Sequence, residues 1–180
     1  VVAAAHDAAV ASTLAWVEEA ALYTRRGPGG VRQVEVRGVL AAAFTHRDSR
    51  SGDPDLHTHV AVANKVQAAD GSWLSVDGRV LYAAAVAASE RYNTHLEAEL
   101  RHRLGLTFAD RDGPTGGARA VREIVGIDPR LLTAFSQRRA AIDAARADLA
   151  AAFTSRHGRP PTTREALRLA QQATLATRDA

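Results

Sequence analysis

VLAAAFTHRDSRSGDPDLHTHVAVAN, residues 39–64, holds two strand-like runs, Val39 to Thr45 and one that begins at Leu56, on either side of a polar stretch carrying Gly52 and Pro54. Such a stretch suits a hairpin loop. Side chains at i and i+2 of a strand project from one face, so His57 and His59 bring their imidazoles together. His46 ends the first run, and antiparallel pairing puts all three rings on one face. Three neutral imidazoles suit zinc or another borderline divalent ion and leave a coordination position open, the arrangement of a catalytic rather than a closed structural site. Any one of these histidines alone is more often a surface residue. The His-x-His spacing with a hairpin partner is what singles out the set.

Working outward, residues 31–36 alternate between Val31, Gln33, Glu35 and Arg32, Val34, Val36, and after Gly38 the pattern becomes apolar. This predicts one long strand ending at His46, or two with a bulge at Gly38. The next strand is expected over Leu56 to Gln67, with Val60, Val62 and Val66 on the face opposite His57 and His59. Asp70-Gly71 turns the chain and Trp73 to Val76 returns, completing a three-stranded antiparallel unit. Upstream, Val1 to Thr24 has helical spacing and Gly27-Pro28-Gly29-Gly30 stops it.

Downstream, Leu81, Ala85, Ala88, Tyr92, Leu96, Leu100 and Leu104 form one helical stripe, with Glu97 and Arg101 paired on the other side. Leu106 to Phe108 and Ala118 to Ile124 flank a turn-rich segment, Asp110 to Gly117, and predict a second hairpin. Asp128-Pro129 opens a helix expected to run to about Arg156 with Leu132, Phe135, Ile142, Leu149 and Phe153 inward. Thr162 with Glu165 is a capping box for a last helix. The fold class is α+β, a central antiparallel sheet carrying the three-histidine site and packed by helices.

The 180 residues suffice for one domain with its own core. No run of eighteen apolar residues and no signal-peptide pattern occurs, so a cytoplasmic protein is expected. The absence of cysteine excludes disulfides, thiolate ligands and cysteine nucleophiles, so a metal must use histidine and carboxylate. No methionine stands at position 1, and the chain reads as a piece of a longer protein. Residues 1–90 hold 8 basic and 10 acidic side chains and residues 91–180 hold 15 and 10, so the net +3 sits in the second half. Lys65 is the only lysine. Arginine suits phosphate, though an arginine- and alanine-rich chain also follows from a GC-rich genome.

The residues Phe44-Thr45-His46-Arg47-Asp48-Ser49-Arg50 and Pro54 to Asn64, with His57-Thr58-His59 at their centre, resemble the TrwC/TraI-type conjugative relaxases of the HUH endonucleases. The resemblance continues through Asp70-Gly71-Ser72-Trp73 and the helix bearing Tyr92, and more weakly through Arg122-Glu123-Ile124 and Phe135 to Arg139. It covers residues 1–145, leaving 146–180 as a C-terminal helical extension or the start of a further segment. It implies a divalent ion (Mg, Mn or Zn) on His46, His57 and His59, and single-stranded DNA at a transfer origin as partner, in a bacterial cytoplasm. It also implies a helicase as a frequent companion in the parent chain. The implied reaction is attack of a tyrosine hydroxyl on a DNA phosphodiester, leaving a 5′-phosphotyrosyl link and a free 3′-hydroxyl. The family's nucleophilic tyrosines and an acidic strand precede the first helix here. They are therefore expected upstream of Val1, and the fragment alone is expected not to nick DNA. Tyr23, Tyr82 and Tyr92 are read as structural.

Arg47, Arg50 and Lys65 are candidate phosphate contacts, and His6, His95, His102 and His157 read as surface or helix-end residues. One alternative is a non-catalytic DNA-binding module with a structural or degenerate metal site. Another is a JAMM-type zinc isopeptidase, whose aspartate position is held by Asp70; but Gln67 stands at its serine position and His46 would be idle.

Overall fold

A computed structural model describes residues 1–111 and 120–178. The chain forms two compact units, one of residues 1–46 and 56–125, the other of residues 47–55 and 126–180.

In the first unit, helix α1 (Val2–Ala20) buries Ala5 and Ala9 completely. Small side chains let the helix approach its neighbour closely, and α1 packs chiefly on α3 (Ala85–Leu104), which follows the short α2 (Gly78–Ala83). Polar contacts fasten the pair. Ser12 Oγ lies 3.1 Å from His95 Nε2, and Arg91 Nε donates to the Ser12 carbonyl at 3.3 Å. His95 is thus a half-buried bridge rather than a surface residue. Along the expected apolar stripe Leu100 is buried, while Ala85 is exposed and Leu104 keeps 43% of its surface.

The first helix ends at Ala20 rather than Thr24. Its predicted last turn is instead strand β1 (Tyr23–Arg26), paired antiparallel with β2 (Arg32–Arg37) from Tyr23↔Glu35 to Arg26↔Arg32. Leu22 and Thr24 are buried, and Thr24 donates its hydroxyl to the Ser75 carbonyl at 2.7 Å. Arg25 Nε meets the buried Asp77 carboxylate at 2.5 Å. Burial pushes Asp77 up, but hydrogen bonds from Arg25 and the Arg79 amide, with their charges, hold it below the ordinary aspartate value. Tertiary partners thus outweigh the local helical periodicity.

Gly38, at φ +67°, ends β2 where a bulge was expected, and β3 (Ala41–Asp48) begins beyond it. The returning strand is interrupted opposite that point, giving β4 (Pro54–Val62) and β5 (Val66–Ala68) instead of one strand over Leu56 to Gln67. The Ala63 amide still donates to the Leu40 carbonyl at 2.8 Å across the break. The ribbon is therefore one long hairpin with an interruption in both strands. With β6 (Trp73–Leu74) the outer part forms a four-stranded antiparallel sheet in the order β1-β2-β5-β6, while β3 and β4 pair as a separate two-stranded sheet. Val66 and Ala68 are buried, as the alternation requires. The second expected hairpin appears as β7 (Phe108–Asp110) with β8 (Arg122–Ile124), from Phe108↔Ile124 to Asp110↔Arg122; its tip, 112–119, lies outside the described residues.

In the second unit the helix foreseen from Asp128 to about Arg156 is two helices, α4 (Pro129–Ala134) and α5 (Gln137–His157). Asp128 caps the first as expected, accepting from the Arg130 amide at 2.8 Å. The second starts at Gln137 because Asp53, 5% exposed, accepts from the amides of Gln137 at 3.2 Å and Arg138 at 3.0 Å. Ser136, at the cap position, makes no side-chain capping bond. Asp53 is itself held in the loop by the Ser49 amide, which donates to the Asp53 carbonyl at 2.8 Å. Leu132 and Phe135 are about half exposed rather than inward, and Ile142, Leu149 and Phe153 are half-buried. Helix α6 (Thr163–Ala176) carries the expected capping box and packs against α5. Residue 145, where the relaxase-like segment was expected to end, falls inside α5.

Replacing Asp53 with alanine leaves two amides at the part-buried start of α5 without their acceptor. The expected loss is about 1–2 kcal/mol of stability, read as a lower urea midpoint at constant slope; an unchanged midpoint would show that the cap contributes nothing.

Candidate metal centre

The antiparallel β3–β4 hairpin does what the strand period requires of it. Its three histidines form a closed triangle, with ring centres of His46 and His57 5.2 Å apart, His46 and His59 5.3 Å, and His57 and His59 5.0 Å. Three imidazoles each bound through one nitrogen at about 2.1 Å place their ring centres on the order of 5 Å apart. The donor set and its spacing therefore fit a borderline divalent ion. His46 and His59 are exposed and His57 is half-buried, so the cluster opens to solvent on one side.

Orientation is a separate matter. His46 and His57 lie nearly parallel, 18° apart, whereas His59 stands at 79° and 83° to them. Among the described residues no three His, Asp or Glu side chains form a group that could hold a metal ion in their present rotamers. The two observations carry different weight. Ring proximity is set by strand register, which is costly to change, whereas χ2 of histidine is a broad, soft torsion.

Behind the strand lies a row of hydrogen bonds that no spacing in the sequence signals. Thr58, between the two β4 histidines, places its Oγ1 2.9 Å from Thr45 Oγ1 and 2.7 Å from His6 Nε2. His6 Nδ1 is 2.7 Å from the Tyr92 hydroxyl. His6 is 3% exposed, a buried hub of α1 rather than a surface histidine. Its partners stand 52 and 86 positions away, beyond the reach of any local pattern. Burial raises the Tyr92 hydroxyl above the ordinary tyrosine value. That hydroxyl is committed to His6; Tyr23 sits in β1, and Tyr82 on α2 is 85% exposed.

Arg47 is exposed and lies within β3 rather than in the loop, Arg50 donates to the Arg178 carbonyl at 3.2 Å, and Lys65 is exposed between β4 and β5. His102 is exposed, and His157 packs its ring 4.2 Å from Phe153. Asp70 is a turn residue. Its carboxylate accepts from the Ser72 hydroxyl at 2.7 Å and amide at 3.1 Å and from Arg26, which together hold its pKa at about 2. The aspartate that an isopeptidase centre would need is thus engaged at the β5–β6 turn.

Known proteins resemble the chain in sequence and in fold. The TrwC relaxase family model matches residues 1–180. The multifunctional conjugation protein TraI of Escherichia coli is 32% identical over 143 residues, 77% of this chain and 8% of that protein. The conjugative relaxase TrwC, solved metal-free in complex with oriT DNA, superposes with a TM-score of 0.75 at 28% identity, covering 98% of this chain and 57% of that one. Its copper-bound complex with oriT DNA gives 0.74 at 28% identity, covering 98% and 55%. The chain thus spans little more than half of the TrwC chains and a small part of TraI. With a family model matched from end to end, the chain belongs to the TrwC relaxase family.

Proposed function

We propose that this chain supplies the metal-holding part of a relaxase that nicks single-stranded DNA at a transfer origin and transfers the strand. The observation that carries the proposal is the triangle of His46, His57 and His59 on one hairpin, at 5.0–5.3 Å between ring centres, in a chain of the TrwC relaxase family. A divalent ion held there, Mg, Mn or Zn, would polarise the oxygens of the scissile phosphate. The chain's own residues do the rest of what is assigned here. Strands β3 and β4 hold three imidazoles on one face, and the triangle is open to solvent on one side.

Rotation of the rings about χ2, a broad torsion, is the movement this reading requires of the three histidines, with the strands left in place. Arg47, Arg50 and Lys65 are the proposed phosphate contacts, each exposed. Arginine offers the bidentate geometry that phosphate oxygens favour. The tyrosines of the chain take no nucleophilic role in this reading: Tyr92 commits its hydroxyl to His6, and Tyr23 and Tyr82 are read as structural. The relatives' oriT complexes support DNA as the partner, and a helicase in the same parent chain and a place in the bacterial cytoplasm complete the proposal. Among the described residues no helix is long and apolar enough to cross a membrane.

Calorimetric titration with Mn²⁺ or Zn²⁺ is expected to show one site, and His57→Ala to weaken it by more than about a hundredfold, beyond what losing a ligand's hydrogen-bond partner costs. Equal binding by the variant would remove the site assignment. Anisotropy of labelled single-stranded DNA is expected to show affinity falling steeply and linearly in log–log form with salt. A flat dependence would argue for the chain having no phosphate-tracking surface.

A further inference from the structure

A buried imidazole in an alanine-rich helix asks for a reason, because burying a polar ring is costly unless both nitrogens are satisfied. His6 meets that condition with two 2.7 Å contacts, one to the Tyr92 hydroxyl and one to Thr58 Oγ1. Thr58 is flanked on both sides by proposed metal ligands. Alternation along β4 sends its side chain to the face opposite His57 and His59, so His6 grips the strand from behind. Through the 2.9 Å contact to Thr45 the grip reaches β3 as well, at the residue next to His46. One hydroxyl therefore touches both strands at positions adjacent to all three histidines.

A neutral His6 donates at one nitrogen and accepts at the other, so the row Tyr92–His6–Thr58–Thr45 can run in a single direction with every member satisfied. The far end is firm. Tyr92 belongs to α3, which packs along α1 and is tied to it by Ser12, Arg91 and His95. Among the described residues the β3–β4 sheet has two strands, with β3 exposed along its whole length, so its twist and rotation are weakly fixed by strand pairing alone.

We infer that His6, anchored by Tyr92, is a positioning residue for the three-histidine centre, holding Thr58 so that the imidazoles of β3 and β4 stay on one face at a spacing that suits a single ion. The inference rests on the metal reading above. Its energetic content is preorganisation: a site whose strands are already fixed loses less freedom when the ion binds.

Thr58→Val removes the hydroxyl and keeps the β-branched shape, Thr58→Ser restores the hydroxyl, and Tyr92→Phe cuts the row at its far end. Each is compared with the wild-type chain by Mn²⁺ calorimetry and by the visible spectrum of the Co²⁺-loaded protein, with circular dichroism confirming the fold. The expected result is Mn²⁺ binding weakened on the order of tenfold in Thr58→Val and Tyr92→Phe. The cobalt bands should move in Thr58→Val and return in Thr58→Ser. Wild-type affinity and spectrum in both Thr58→Val and Tyr92→Phe would overturn the positioning role while leaving the metal site intact. A wild-type chain that binds neither ion would overturn the metal reading, and this inference with it.

Discussion

The pairing of β3 with β4 is the constraint on which the rest depends. A strand has a side-chain period of two, so a slip of one residue would carry His57 and His59 to the face now occupied by Thr58 and turn the triangle inside out. Two features hold the register. On one side the ribbon continues past the Gly38 interruption into β2 and β5, whose Val36↔Ala68 pairing belongs to the four-stranded sheet with the buried Val66. At its middle, Thr58 joins Thr45 and His6 by short hydrogen bonds.

The polar row is notable for where it spends its bonds. Side-chain hydrogen-bond networks rigidify a structure and specify one arrangement when every member is satisfied. Here the specified quantity is the orientation of a two-stranded sheet that carries the three histidines on its opposite face. The exposed side needs no such restraint, because histidine rings turn cheaply about χ2 while strands do not. Rigid strands with soft rings is an arrangement able to accept an ion without refolding.

Features decided within a few residues were legible in the sequence. The Asp128 cap, the Thr162–Glu165 capping box, the break at Gly38 and the clustering of the three histidines all follow from local geometry, and each is present. Features decided by distant partners were not. Strand β1 reads as helix until its pairing with β2 and the Thr24 bond to Ser75, 51 residues on, are known. The division of α4 from α5 depends on Asp53, 84 positions before Gln137. His6 looked like a surface residue for the same reason, since both of its partners are remote.

The proposed ligation of one divalent ion by His46, His57 and His59 together is open to a direct count. X-ray absorption at the metal edge of the zinc-loaded chain counts imidazole ligands directly, through the multiple-scattering signature of the ring. Three imidazoles are expected on the ion, with a drop to two in His46→Ala. A shell of oxygen ligands alone, or an imidazole count that His46→Ala leaves unchanged, would contradict it.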